Sequence, residues 1–242
     1  MKISRKKQSK KFSLIKNNKV ELELLEKLQT NGVTPLPPYI KNADSEDELR
    51  VKYQTVYAKN IGSVAAPTAG FHFTDELLEK IKDKRIQIEY VTLHVGLGTF
   101  MPVKTENLED HTMHSEDFFV DQKVITRIND AKKNGKRIVA VGSTSTRVLE
   151  SIASGNTTNS TNIFIYPPYK FKFVDVMITN FHLPKSTLMA MVYAFGGTEL
   201  MKKAYKEAIK ERYRFYSFGD SMVILWPYPS LEAFPLSLQS HN

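Results

Sequence analysis

Five of the six histidines, His72, His94, His111, His114 and His182, fall in or beside turns. Histidine titrates near neutral pH, so it is the side chain best suited to take and return a proton. Each alone reads as a surface or hydrogen-bonded core residue. Five in loops able to meet at one sheet edge raise the expectation that at least one works on a ligand. The most telling setting is VMITNFHLPKSTLMAMVYAFGG, residues 176–197. It reads as a buried strand, a loop carrying His182 and Lys185, and an apolar helix opened by Ser186 or Thr187. Open α/β sheets take their ligands at such strand ends. The helix start adds free N–H groups that suit an anionic or electron-rich ligand.

Other groups are less specific. His111 and His114 form an H-x-x-H pair followed by Glu116. On a helix that spacing would share a face and could bind metal. Without a clear third ligand, the expectation is no metal. Gly96, Gly98 and Thr99 form a turn after a strand but lack the third glycine of a dinucleotide loop. Gly142, Ser143, Thr144 and Arg147 form a hydroxyl-rich turn between strand and helix. That turn suits a ribose, carboxylate or phosphate, or is plain helix capping. No G-x-S-x-G elbow is present, which disfavours a serine hydrolase. Aromatic runs YPPYKFKF and YRFYSF carry Lys170, Lys172, Arg212 and Arg214 between their rings. They read as base-stacking faces or as core residues alternating with solvated charges.

These residues need elements to hold them. IQIEYVTLHVG, RIVAVGSTSTRVLESI, NIFIYPPYKF and VDVMITNFHLPKSTLMAMVYAF read as four strand–turn units, and Tyr53 to Ala58 as a further short strand. TELMKKAYKEAIKERYRF reads as a last helix and MVILW as a final strand. Thr74 caps a helix, and VELELLEKLQ reads as a short amphipathic helix. Strands alternating with helices give an α/β fold, with a mostly parallel sheet flanked by helices.

Composition narrows the class. The 242 residues contain no cysteine, which removes disulfides, thiolate metal sites and cysteine nucleophiles. No apolar run reaches the ~18–20 residues of a membrane span. The net charge is +8, but residues 1–20 hold eight of the 34 basic residues and no acidic one. The rest balances at 26 of each sign. The basic leader reads as solvated chain or as a phosphate-contacting arm.

The blocks PLPPYI (35–40), YQTVYA (53–58), GSVAAPTAGFHFT (62–74), TLHVGLGTFMPV (92–103), HTMHSE (111–116), AVGSTSTRVLE (140–150), IFIYPPYKF (163–171), TNFHLPKSTL (179–188) and YRFYSFGDSM (213–222) occur in order. Over roughly residues 12–224 the chain resembles the S-adenosylmethionine:tRNA ribosyltransferase-isomerases of queuosine biosynthesis. Phe71, Ser143, Pro168 and Phe218 depart from the usual residues of that family. The resemblance implies four regions: a basic leader at 1–19, a remnant of an inserted β-barrel domain with its linker at 20–40, an α/β catalytic domain at 41–225, and a non-family tail at 226–242. It also implies that the family's N-terminal third, with R-D and N-D-T-R-V motifs, is missing, with the chain working either alone or with a separately encoded N-terminal fragment.

The implied reaction moves the ribosyl part of the co-substrate S-adenosylmethionine onto 7-aminomethyl-7-deazaguanine at the tRNA wobble position. Epoxyqueuosine forms, and adenine and methionine leave. The resemblance makes His94 or His182 the base, with His114 and Glu116 as acid or orienting partner. Gly96, Gly98, Thr99, Gly142, Ser143 and Thr144 would line the co-substrate, and Arg147 and Lys185 would contact a carboxylate or phosphate. No metal is expected. The partner is precursor-bearing tRNA, and the expected protein is a cytoplasmic monomer with no membrane contact. Two other readings stand beside it: an inactive remnant of this enzyme, and an unrelated methyltransferase, which the lack of a glycine-rich cofactor loop disfavours.

Overall fold

The computed structural model describes residues 27, 30–37, 40, 44–96, 98 and 102–225. The leader 1–19, most of the 20–29 helix, Thr99 and the tail 226–242 lie outside them.

Local chemistry starts the helices. Helix α1, Glu46–Lys52, opens with a capping box in which Ser45 Oγ accepts from the Glu48 N–H and Glu48 accepts from the Ser45 N–H. Thr74 caps α2, Asp75–Asp83, and Asp121 caps α3, Gln122–Lys133. Helix α4, Ser143–Ala153, follows Gly142 at φ +90°, a conformation that disfavours any residue with a Cβ. Ser186 caps α5, Thr187–Gly196, by accepting from the Met189 N–H at 3.1 Å. Gly197, at φ +80°, turns the chain directly into α6, Thr198–Lys210.

The strands form two small sheets. In the first, β1 (Thr92–His94) pairs with β2 (Glu116–Phe119), and β2 with β4 (Ser160–Thr161), all antiparallel. In the second, β3 (Val139–Val141) runs parallel to β5 (Val176–Asn180), and β6 (Ser221–Leu225) returns antiparallel. Ala140, Met177 and Ile224 come from the three strands of this second sheet. They join Val192 and Phe195 of α5 and Met201 and Tyr205 of α6 in one core. Helix α5 presents apolar side chains nearly all round, as an element buried between layers must.

The α/β class holds, but the sheet is not mostly parallel: one described pairing of four is. Between β5 and β6 the cause is helix parity. One crossover returns the chain for a parallel strand. Two successive helices between β5 and β6 carry it down and back up, so β6 enters from the same end that β5 leaves. Three strand expectations also shrink. Residues 53–58 form turns, 86–96 pair only at β1, and 163–171 make no ladder. Pro167 and Pro168 have no N–H to give one. Residues 20–40 contribute no strand among those described, so a barrel remnant is not confirmed. No helix among the described residues is long and apolar enough to cross a membrane.

Candidate active site at the strand ends

The tightest chemistry lies where the two sheets meet. Glu116 opens β2 and Arg147 projects from α4; each is 6% exposed. Glu116 Oε2 accepts from Arg147 Nη1, and its Oε1 accepts from the Gly96 N–H at 3.0 Å. The guanidinium also donates to the carbonyls of His114 at 3.2 Å, Thr161 at 3.3 Å and Ile163 at 3.2 Å. Burial pulls the Arg147 guanidinium below its ordinary value, and Glu116 pulls it back. Arg147 is thus held by Glu116 and three backbone carbonyls, joining both strands of the β2–β4 pair to α4.

A cavity of about 160 Å³ opens beside this pair. Gly98, Lys104, Thr105, His114, Glu116 and Thr187 line it. His114 lies on the bare face of Gly98: a Cβ there would sit 2.3 Å from its Cδ2. Thr105 Oγ1 is buried with no partner among the described residues. His111 also borders the cavity, but residues 111–115 are extended rather than helical. Its ring packs edge-on against Phe164, so the H-x-x-H pair does not share a helix face. Among the described residues no group of three or more potential ligands gathers for a metal.

His182 stands on the β5–α5 loop. Its Nε2 is 2.8 Å from Thr179 Oγ1, and its backbone N–H donates to the Tyr205 hydroxyl at 3.0 Å. Burial pulls its imidazole down to about 4, so it is neutral at physiological pH. Lys185 is exposed, with φ +57°, and its carbonyl accepts from the Val103 N–H at 2.8 Å. That bond ties the loop to the cavity wall. His94 ends β1 against Gly62, where a Cβ would lie 2.6 Å from its Nδ1. That nitrogen is buried without a partner among the described residues.

A larger groove, about 890 Å³, runs along residues 53–67 and the outer side of β1. Tyr53, Tyr57, Tyr90 and Phe119 contribute rings to it, and Thr144 and Ser145 border it from α4. Its size falls in the range of about 300–1,000 Å³ usual for small-ligand sites. The tyrosines were visible in the sequence, but Tyr53 and Tyr57 read as part of a short strand. The available signal was Gly70, whose bare face admits the Tyr57 hydroxyl: a Cβ there would lie 2.0 Å from it.

Of the expected site residues, Gly98, His114 and Glu116 share the small cavity, with Gly96 and Arg147 bonded to Glu116. The His182–Lys185 loop reaches that cavity through Thr187, and Thr144 faces the groove. Gly142 and Ser143 start α4 without lining either space. The α/β fold thus brings Glu116, Arg147 and His114 together at one corner, while His94 and His182 line neither space.

The chain belongs to the queuosine biosynthesis protein family, whose model it matches over residues 1–224. The matched span takes in the basic leader and stops before the tail. The chain is 52% identical over 223 residues to the S-adenosylmethionine:tRNA ribosyltransferase-isomerase of Treponema denticola, covering 88% of this chain and 62% of that protein. It is 57% identical over 199 residues to the enzyme of that name from Halothermothrix orenii, covering 80% and 58%. It thus spans about three-fifths of the length of these curated relatives. The crystal structure of an S-adenosylmethionine tRNA ribosyltransferase from Thermotoga maritima is similar, with a TM-score of 0.54 and 44% identity over 65% of this chain and 51% of that one.

Proposed function

We propose that this chain carries the proton-transfer part of a ribosyltransferase-isomerase acting on S-adenosylmethionine and tRNA. The product is epoxyqueuosine at the wobble position, formed from 7-aminomethyl-7-deazaguanine with loss of adenine and methionine. The observation that carries the reading is the corner itself: a carboxylate held by a buried arginine, a histidine stacked on glycine, and a ligand-sized groove nearby. The groove has room for a nucleoside, with tyrosine faces to receive a base or a sulfonium.

The roles follow from placement. Glu116 and Arg147 form the rigid floor, and through the Arg147–His114 carbonyl bond they set the position of His114. His94 and His182 are the candidates for handling the proton lost from the co-substrate and the one gained by adenine. Lys185, at the loop tip, supplies positive charge for a phosphate or carboxylate. A tRNA substrate makes the cytoplasm the expected place of work.

The competing reading is a form of this enzyme that does not carry out the transfer. Adenine release from S-adenosylmethionine, measured with the purified chain and precursor-bearing tRNA, separates the two. Release supports the transferase. No release, with or without the remaining two-fifths of a relative supplied in trans, supports the inactive reading.

A further inference from the structure

Thr179 was not among the residues that the sequence singled out for chemistry. It lies in β5, 1% exposed, and its hydroxyl has one hydrogen-bond partner among the described residues, His182 Nε2. A hydroxyl has one hydrogen to give and two lone pairs to offer, while a neutral imidazole has one donor nitrogen and one acceptor nitrogen. Two arrangements therefore satisfy the 2.8 Å contact. If Nε2–H donates to Oγ1, the threonine hydrogen is left without an acceptor in a dry interior. If the threonine O–H donates to Nε2, the remaining hydrogen sits on Nδ1, which the half-buried His182 leaves open to water or a ligand, and only oxygen lone pairs go unmatched in the interior. A buried donor without a partner costs more than an under-used oxygen. The second arrangement wins.

We infer that Thr179 is a positioning residue whose hydroxyl donates to Nε2 and holds His182 as the neutral imidazole protonated on Nδ1. The backbone fixes the ring's origin as well, because the His182 N–H is bound to the Tyr205 hydroxyl and Phe181 beside it is 4% exposed. Burial keeps the ring uncharged, in agreement. The nitrogen left for a ligand is then Nδ1, and it bears hydrogen; it has no partner among the described residues.

The consequence rests on the transfer reaction proposed above. In that reaction His182 donates a hydrogen bond to an electron-rich atom, such as a ring nitrogen of the departing base. It does not take the proton from the co-substrate, so that task passes to His94 or His114. The tautomer itself needs no substrate and stands or falls separately from the reaction.

Long-range proton–nitrogen correlation spectra of the full chain, labelled with ¹⁵N-histidine, test it. His182→Asn identifies the signal by its loss. At neutral pH the expected pattern is a protonated Nδ1 and a bare, hydrogen-bonded Nε2, in roughly ten-fold excess or more over the other tautomer, the weight of one unsatisfied buried donor. Thr179→Val should move the Nε2 signal toward that of a bare nitrogen with no hydrogen bond, and Thr179→Ser should restore it. A protonated Nε2 in the wild-type chain overturns the inference, as does an Nε2 signal indifferent to Thr179→Val. Should the valine variant not fold, the wild-type and serine spectra decide.

Discussion

Replacing Arg147 by Met removes the cation from beneath a carboxylate that is itself 6% exposed. Methionine fills similar space, so the loss is electrostatic rather than a cavity. Breaking a buried pair by removing one partner costs about 3–5 kcal/mol, because the carboxylate left behind loses its balancing cation in a low-dielectric site. Three carbonyls, of His114, Thr161 and Ile163, lose a donor in the same step. At roughly 0.5–1 kcal/mol each they bring the total to about 4.5–8 kcal/mol. A domain of this size has on the order of 5–15 kcal/mol in all. The variant should therefore melt far below the parent or fail to fold cooperatively. Glu116→Leu alone should cost about 3 kcal/mol or more, since it strands the guanidinium. The double variant is the discriminating one. With both charges gone, urea unfolding should show a loss at least ~2 kcal/mol smaller than the sum of the singles. Single losses under about 1 kcal/mol, or losses that simply add, would refute the claim that this pair is a buried, mutually dependent charge couple.

Three further outcomes are expected. Glu150 is fully buried and accepts from the Tyr169 hydroxyl and from the N–H groups of Lys172, Phe173 and Val174. Glu150→Gln turns one acceptor oxygen into a donor facing donors, and should cost about 2–5 kcal/mol by thermal or urea unfolding. Gly98→Ala should push the His114 ring off its seat with little loss of stability. If the proposed reaction is right, adenine release should drop at least ~10-fold; unchanged turnover counts against His114. His182 titrates at about 4 when folded against 6.5 when free. The unfolded chain therefore binds the extra proton first as pH falls. Its stabilising contribution is whole above pH 6.5 and is lost toward pH 4, by about 3 kcal/mol in total. Denaturation midpoints measured across that window should fall with acid in the parent and less steeply in His182→Asn.

Much of the frame was legible because its signals are local. Thr74 and Ser186 were readable as caps, since a cap needs only the next three residues to work. The strand–loop–helix around His182 was readable for the same reason. Strand direction was not, because it depends on how many helices intervene before the next strand docks. The alternation in 53–58 looked like a strand, yet a strand exists only where a neighbour can pair with it. Arg147 was visible as a cation one step beyond a hydroxyl-rich turn. That its carboxylate is Glu116, 31 positions earlier, follows only from the folded contact of β2 with α4. The groove was missed because its wall is a run of turns, and turns carry no periodicity to betray a concave surface.

The paired helices between β5 and β6 have a consequence for the order of assembly during synthesis. Because β6 returns from the end where β5 leaves, residues 213–220 come to brace the His182 loop. The Tyr216 N–H bonds the Phe181 carbonyl, Asn180 Nδ2 donates to the Tyr216 carbonyl, and the Phe181 N–H bonds the Asp220 carbonyl. Chains fold largely from the N-terminus as they emerge from the ribosome. Of the sheet beneath the loop, only the β3–β5 pair can therefore form while the bracing and β6 are still inside the exit tunnel. On a translating ribosome the His182 loop therefore gains its bracing and its sheet's third strand only after nearly the whole described chain is out.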